Sequence, residues 1–118
     1  MTNKINVKNL PYMGLYHVNS SGTEEFNYKF AKKRYKGQDT IIEYMKSAVE
    51  FGARPEILFD TFSHEAIPYE SMVMTDGHFR WSSELLYYVE KYNLILPKEF
   101  VEVANKEKKV KIKKEELV

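Results

Sequence analysis

Hydrophobic and polar positions alternate most clearly between Ser71 and Trp81. Met72, Met74, Phe79 and Trp81 take one parity about a central Asp76-Gly77, and Val73, Thr75, His78 and Arg80 take the other. Asp-Gly favours a two-residue type I′ turn, which needs positive φ at both positions. Folding the chain there pairs Met74 with Phe79 and Met72 with Trp81, so that one face is apolar and the other mostly polar. The period then changes. Ser82 is an N-cap candidate with Glu84 in the first turn, and Leu85, Tyr88, Val89 and Tyr92 recur at helical spacing. Trp81 before the cap and Leu86 at the fourth helical position have the spacing of a hydrophobic staple. Asn93 suits a left-handed helix end, and Pro97 opens a second short helix with Phe100, Val101 and Ala104 as its buried stripe.

The same reading extends back along the chain. Residues 12–18 predict a strand with Met13, Leu15 and His17 on one face. Asn19-Ser20-Ser21-Gly22 marks a turn. Residues 24–31 alternate, with Phe26, Tyr28 and Phe30 inward, which completes a hairpin. Thr40 and Glu43 fit a capping box for a helix whose stripe is Ile41, Met45, Ala48 and Val49, with Gly52 as its stop. Pro55 restarts the chain, residues 56–62 predict another strand, and Ala66-Ile67 a short edge strand limited by Pro68. The expected fold class is α+β: an antiparallel sheet of four to six strands with helices packed on one face. Residues 1–104 form the single domain, and residues 105–118, rich in lysine and glutamate, read as a charged, flexible tail.

Thr75-Asp76-Gly77, Trp81, Leu85, Tyr87-Tyr88-Val89, Tyr92, Leu96-Pro97 and Glu99-Phe100 together resemble the C-terminal signature of a family of small uncharacterised bacterial proteins. That signature is T-D-G-x-x-x-W-x-x-x-L-x-Y-Y-V followed by L-P-x-E-F. The chain departs from it at Ser82, where proline is frequent, and at Phe79, where a second tryptophan is. The resemblance implies a shared fold and a bacterial or phage origin. It implies no activity and no catalytic residues.

Composition narrows the function classes. A chain of 118 residues suits one domain that needs no staple. With no cysteine, disulfides, thiolate metal sites and a cysteine nucleophile are excluded, and a reducing compartment fits. The opening residues lack a signal-peptide pattern and no apolar run reaches membrane-spanning length, so the expected location is cytoplasmic, with no membrane partner. The net charge of +1 conceals segregation. Residues 1–36 carry seven Lys/Arg against two Asp/Glu (+5), residues 37–104 five against twelve (−7), and residues 105–118 six against three (+3).

Candidate chemistry is sparse. His17, His64 and His78 show no ligand spacing for zinc. No phosphate-binding glycine loop and no nucleophile elbow is present, so no catalytic residue, metal or cofactor is assigned. Residues 28–36 interleave cations and rings, and Lys29, Lys32, Lys33, Arg34 and Lys36 are candidates for nucleic-acid binding, with the lysine-rich tail. The alternation through Phe26 instead turns Tyr28 and Phe30 into the core. The acidic centre gives the preferred reading. Asp60, Glu65 and Glu70, with Tyr69 and Tyr87, are candidates for an acidic protein-binding surface that meets a basic partner, as an immunity or anti-defence inhibitor does. Tyr44, Tyr69, Tyr87 and Tyr88 do not all fit inside the stripes drawn above, and exposed tyrosines favour interfaces. The expectation is therefore a non-enzymatic protein-binding domain, with a nucleic-acid-binding accessory protein as the alternative.

Overall fold

The computed structural model describes residues 4–53 and 56–118. Among these residues, six strands and three α-helices follow in the order β1 (Tyr12–Met13), β2 (Tyr16–Val18), β3 (Glu24–Phe26), α1 (Gln38–Lys46), β4 (Val49–Ala53), β5 (Met72–Thr75), β6 (Arg80–Ser82), α2 (Ser83–Tyr92) and α3 (Lys98–Glu107). One sheet has the order β1-β6-β5-β4, and β2-β3 form a separate antiparallel pair. The α+β class holds. The larger sheet is mixed, because β1 joins β6 in parallel while the other pairs are antiparallel.

Trp81 explains where the core sits. It lies between Met13 of β1 and Met74 of β5 in the sheet register, and it is fully buried. Phe100 of α3 meets it edge-on at 5.3 Å and also meets Tyr44 and Phe79, each at 5.6 Å. Edge-to-face packing of this kind suits the ring quadrupoles. Ser82 caps α2 by accepting from the Glu84 N–H at 3.4 Å, and Asn93 ends it with φ 61°. Pro97 stands one position before α3 rather than inside it, and the Val101 N–H reaches its carbonyl at 3.0 Å.

The β5–β6 connection differs from the type I′ expectation. Thr75 pairs with Arg80 and Met74 with Trp81, so the loop spans four residues rather than two. The shift by two preserves both faces, which is why alternation alone could not detect it. Asp76 drives the longer loop. Its Oδ1 accepts from the His78 and Phe79 N–H groups at 2.9 and 2.7 Å, and its Oδ2 accepts from the buried Tyr44 hydroxyl at 2.6 Å. An Asx turn tied to α1 thus replaces the tight hairpin. Gly77 alone takes positive φ there, at 88°, and a Cβ on it would meet the Ile112 side chain at 3.0 Å.

Four further expectations differ from the structure. Residues 12–18 are two strands rather than one, since Gly14 and Leu15 turn the chain from the larger sheet into the β2-β3 hairpin. The hairpin itself has Tyr16 opposite Phe26 and Val18 opposite Glu24. The first helix begins at Gln38 after Gly37, so Thr40 is inside it and forms no capping box. The reason is Gln38, whose buried amide donates to the Val89 carbonyl and to Asn93 Oδ1, both at 2.9 Å, tying the start of α1 to the end of α2. Residues 49–53, read as helix end and stop, form β4, because pairing with β5 supplies backbone partners that outweigh a fading helical stripe. Residues 56–62 form no strand; only Phe59 and Ala66 make an isolated bridge. Pro55 lies outside the described residues.

Residues 105–118 follow a defined course that differs from a solvated tail. The Val110 N–H donates to Ser47 Oγ at 2.9 Å, and Val110 and Leu117 are buried. Ile5 and Leu117 form a parallel bridge, with the Ile5 N–H on the Glu116 carbonyl at 2.8 Å and the Val118 N–H on the Ile5 carbonyl at 2.9 Å. The apolar residues spaced through the lysines secure this segment while the cations stay in water.

Candidate functional site

Residues 56–71, ahead of β5, have little regular structure, yet they are tightly held. Their centre is Asp60, with a side chain excluded from solvent. Oδ1 accepts from the Phe62 and Ser63 N–H groups at 2.7 and 3.0 Å, and Oδ2 accepts from the Tyr87 and Tyr92 hydroxyls, each at 2.5 Å. Lys91 Nζ lies 3.6 Å from the same oxygen and over the Tyr87 and Tyr92 rings. The Asp60 N–H and carbonyl are also used, by Glu65 and His64. Tyr87, Tyr88, Lys91 and Tyr92 fall at i, i+1, i+4 and i+5 on α2, which puts all four on one face toward the loop. Tyr88 adds a further tie, since its hydroxyl takes the Thr61 N–H at 2.9 Å.

Electrostatics agree with this geometry. Burial by itself pushes the Asp60 carboxyl up, but the donors from Tyr87, Tyr92, Ser63 and Phe62 outweigh it and hold the group well below the usual carboxylate range. The Asp60 hydrogen bond, helped by burial, raises both tyrosines, so their protons stay on oxygen. Tyr87 in turn raises Lys91. The cluster is a saturated clamp: a charged carboxylate with its donors in place and no position open for a reacting atom.

The clamp displays what surrounds it. Ile57, Phe59 and Phe62 are 73%, 59% and 50% exposed. Phe62 is the outer member of a ring cluster, 4.8 Å from Tyr92 and 5.5 Å from Phe26 between centroids. Glu56 and Glu65 are exposed on the same segment.

The sequence candidates therefore separate. Asp60 and Tyr87 are inside the clamp and unavailable to a partner, which corrects their assignment to an acidic surface. Glu65 and Glu70 are exposed, and Tyr69 is half-buried with its hydroxyl on Glu90. Burial and then that carboxylate push the Tyr69 phenol up to about 12. The tyrosines that exceed the predicted stripes do not form an exposed surface. Tyr44, Tyr87 and Tyr88 are all buried, because each hydroxyl reaches a polar partner, in Asp76, Asp60 and Thr61.

Of the basic candidates, Arg34 pairs with Asp39. Lys29, Lys32, Lys33 and Lys36 are exposed and form no ion pair among the described residues. The rings between them turn inward: Tyr28, Phe30 and Tyr35 are half-buried, and the Tyr35 hydroxyl donates to the Leu94 carbonyl at 2.8 Å. The segment offers cations without a stacking surface. His17 is occupied by Asn27 and Glu25, and among the described residues no three metal-ligating side chains converge.

A cleft of about 360 Å³ lies beyond the clamp, where α1, β4, β5, β6 and the start of α2 meet. Its floor is Met45, Met72, Met74, Trp81 and Leu86, and its rim includes Lys46, Glu50, Tyr69 and Glu70. The expected staple pair, Trp81 and Leu86, thus both border it. The apolar parity of Met72, Met74 and Trp81 pointed to this face. Reading residues 49–52 as helix hid the Glu50 wall.

No protein-family model, no curated protein and no solved structure matches the chain. Among the described residues no helix is long and apolar enough to cross a membrane.

Proposed function

We propose that the chain is a non-enzymatic protein-binding module whose contact surface is the displayed segment 56–66. The observation that carries this reading is the combination of a clamped loop and exposed Ile57, Phe59 and Phe62. Large apolar groups held in water on one segment are a recurrent mark of an interaction site. Order supplied in advance by Asp60 lowers the entropy cost of association. Glu56 and Glu65 on the segment suit a partner whose apolar patch is ringed by lysine or arginine. An immunity or anti-defence inhibitor acting on a nuclease or another nucleic-acid-binding protein fits that chemistry. The resemblance of the 75–100 signature to small bacterial proteins agrees with such an origin.

The test uses Ile57→Ser with Phe59→Ser, which touches exposed side chains and should leave the melting temperature unchanged. A partner captured by the parent chain is expected to be retained about tenfold less by the double variant, consistent with two lost apolar anchors. Reversal of Glu65 to lysine should slow association and reduce its salt sensitivity. Equal capture by all three proteins would remove this surface from consideration.

The second reading, nucleic-acid binding, is favoured by the exposed lysines at positions 29, 32, 33 and 36, which form no ion pair among the described residues. It requires a DNA or RNA gel shift at low salt that disappears at moderate salt. The shift must also be lost when Lys32 and Lys33 are replaced by glutamate. Such a result, together with unaltered behaviour of the Ile57/Phe59 variant, would displace the protein-binding reading.

A further inference from the structure

We propose that the cleft bordered by Glu50 and Glu70 is a binding site for a small aliphatic diamine. It is a separate site from the 56–66 segment and stands whether or not that segment binds a protein. Three observations lead to this ligand class. The volume, about 360 Å³, is at the small end of ligand pockets and suits a compact molecule rather than a folded element. The floor is apolar and deformable: Met72 and Met74 are half-buried over fully covered Met45 and Trp81. Thioether side chains adjust to a flexible hydrocarbon chain at little cost. The rim carries a charge imbalance. Lys46 is engaged by Glu90 at 3.4 Å, and Glu90 also accepts the Tyr69 hydroxyl, so this cation is already matched. Glu50 and Glu70 are exposed and make no ion pair among the described residues.

Those two carboxylates stand on different walls. Glu50 is on β4, directly opposite Met74, while Glu70 is in the segment entering β5, where its carbonyl accepts from Ser83 Oγ at 2.6 Å. One methylene chain laid over Met72 and Met74 would present an ammonium group to each. Long basic side chains solve the same problem when they rest a hydrocarbon stem on an apolar surface and keep the charged end on a carboxylate or in water. Two carboxylates without an ion pair among the described residues select two cations, hence a diamine over a monoamine. A free molecule can reach both walls, whereas a side chain carries one charge.

The methionines provide the readout. Met45, Met72 and Met74 border the cleft, while Met13 lies across β6 and serves as an internal reference. With methyl-labelled methionine, hexamethylenediamine at low ionic strength is expected to shift the Met45, Met72 and Met74 resonances saturably and leave Met13 in place. Glu50→Gln and Glu70→Gln, both at exposed positions, should each weaken binding about three- to fivefold, the range of a partly exposed ion pair. Hexanediol, of similar length but uncharged, should bind much more weakly. Equal binding of the diol, or unchanged affinity in both glutamine variants, overturns the proposal. Tighter binding of an acetylated leucyl-lysine amide than of the diamine also overturns it and reassigns the cleft to a partner's side chain. Absence of methyl shifts up to millimolar diamine overturns it as well, and leaves the partner-capture result on the 56–66 segment untouched.

Discussion

Replacing Trp81 with alanine is expected to lower stability by about 3–5 kcal/mol, the range for deleting a large buried aromatic. The residue sits at the meeting point of three strands and α3, flanked by Met13 and Met74 and met edge-on by Phe100. No neighbour can fill the void, because Met13 and Met74 are held by strand pairing and Phe100 by its contacts with Tyr44 and Phe79. Urea unfolding followed by circular dichroism gives the free energy directly, since the variant has no indole signal. Trp81→Phe should recover much of the loss by keeping a ring against Phe100. A loss below about 1 kcal/mol for the alanine variant would mean that the core centres elsewhere.

The second large effect is expected at Asp60. Asp60→Ala removes the acceptor for two tyrosine hydroxyls and two backbone N–H groups, and should cost about 3–5 kcal/mol, as breaking a buried charged network does. Amide exchange should then accelerate across residues 60–66 before the rest of the chain. Asp60 also sets an acid dependence. Its carboxyl is held below the usual range in the fold, so the folded state binds that proton more weakly than the unfolded chain. The stabilisation is therefore fully present above the unfolded carboxyl value of about 3.9 and is lost as pH falls below it toward the folded value. Asp60→Asn should flatten the acid limb of a stability–pH curve while sparing more of the fold than alanine. An acid limb identical to the parent's would show that other carboxylates carry the effect.

Much of the architecture was legible from local signals. The β2-β3 hairpin, the capped α2 helix and the two faces of β5 and β6 each rest on short-range chemistry: a turn cluster, an N-cap serine, a period of two. What escaped depends on groups far apart in sequence. β4 exists because β5 offers it a partner. The loop after Thr75 is four residues long because Tyr44, from α1, holds Asp76. Asp60 was counted as surface charge because composition cannot tell a solvated carboxylate from one facing two tyrosines on a later helix. The same three tyrosine–acceptor pairs explain why aromatic surplus misled: a hydroxyl with a partner can go inside. Of the candidate sites, the exposure of Glu65, Glu70 and the lysines agrees with their polarity. The cleft was hidden because it is assembled from five elements, α1, β4, β5, β6 and α2.

The bridge between Ile5 and Leu117 has a consequence for how the polypeptide matures on the ribosome. β1 waits for β6, and Ile5 waits for Leu117 far along the chain, so this backbone stays unpaired until each distant partner has been synthesised. These pairings therefore close later than the local hairpin and helices, and a factor that shields nascent chains would find long-lived unpaired backbone at Ile5 and at Tyr12–Met13.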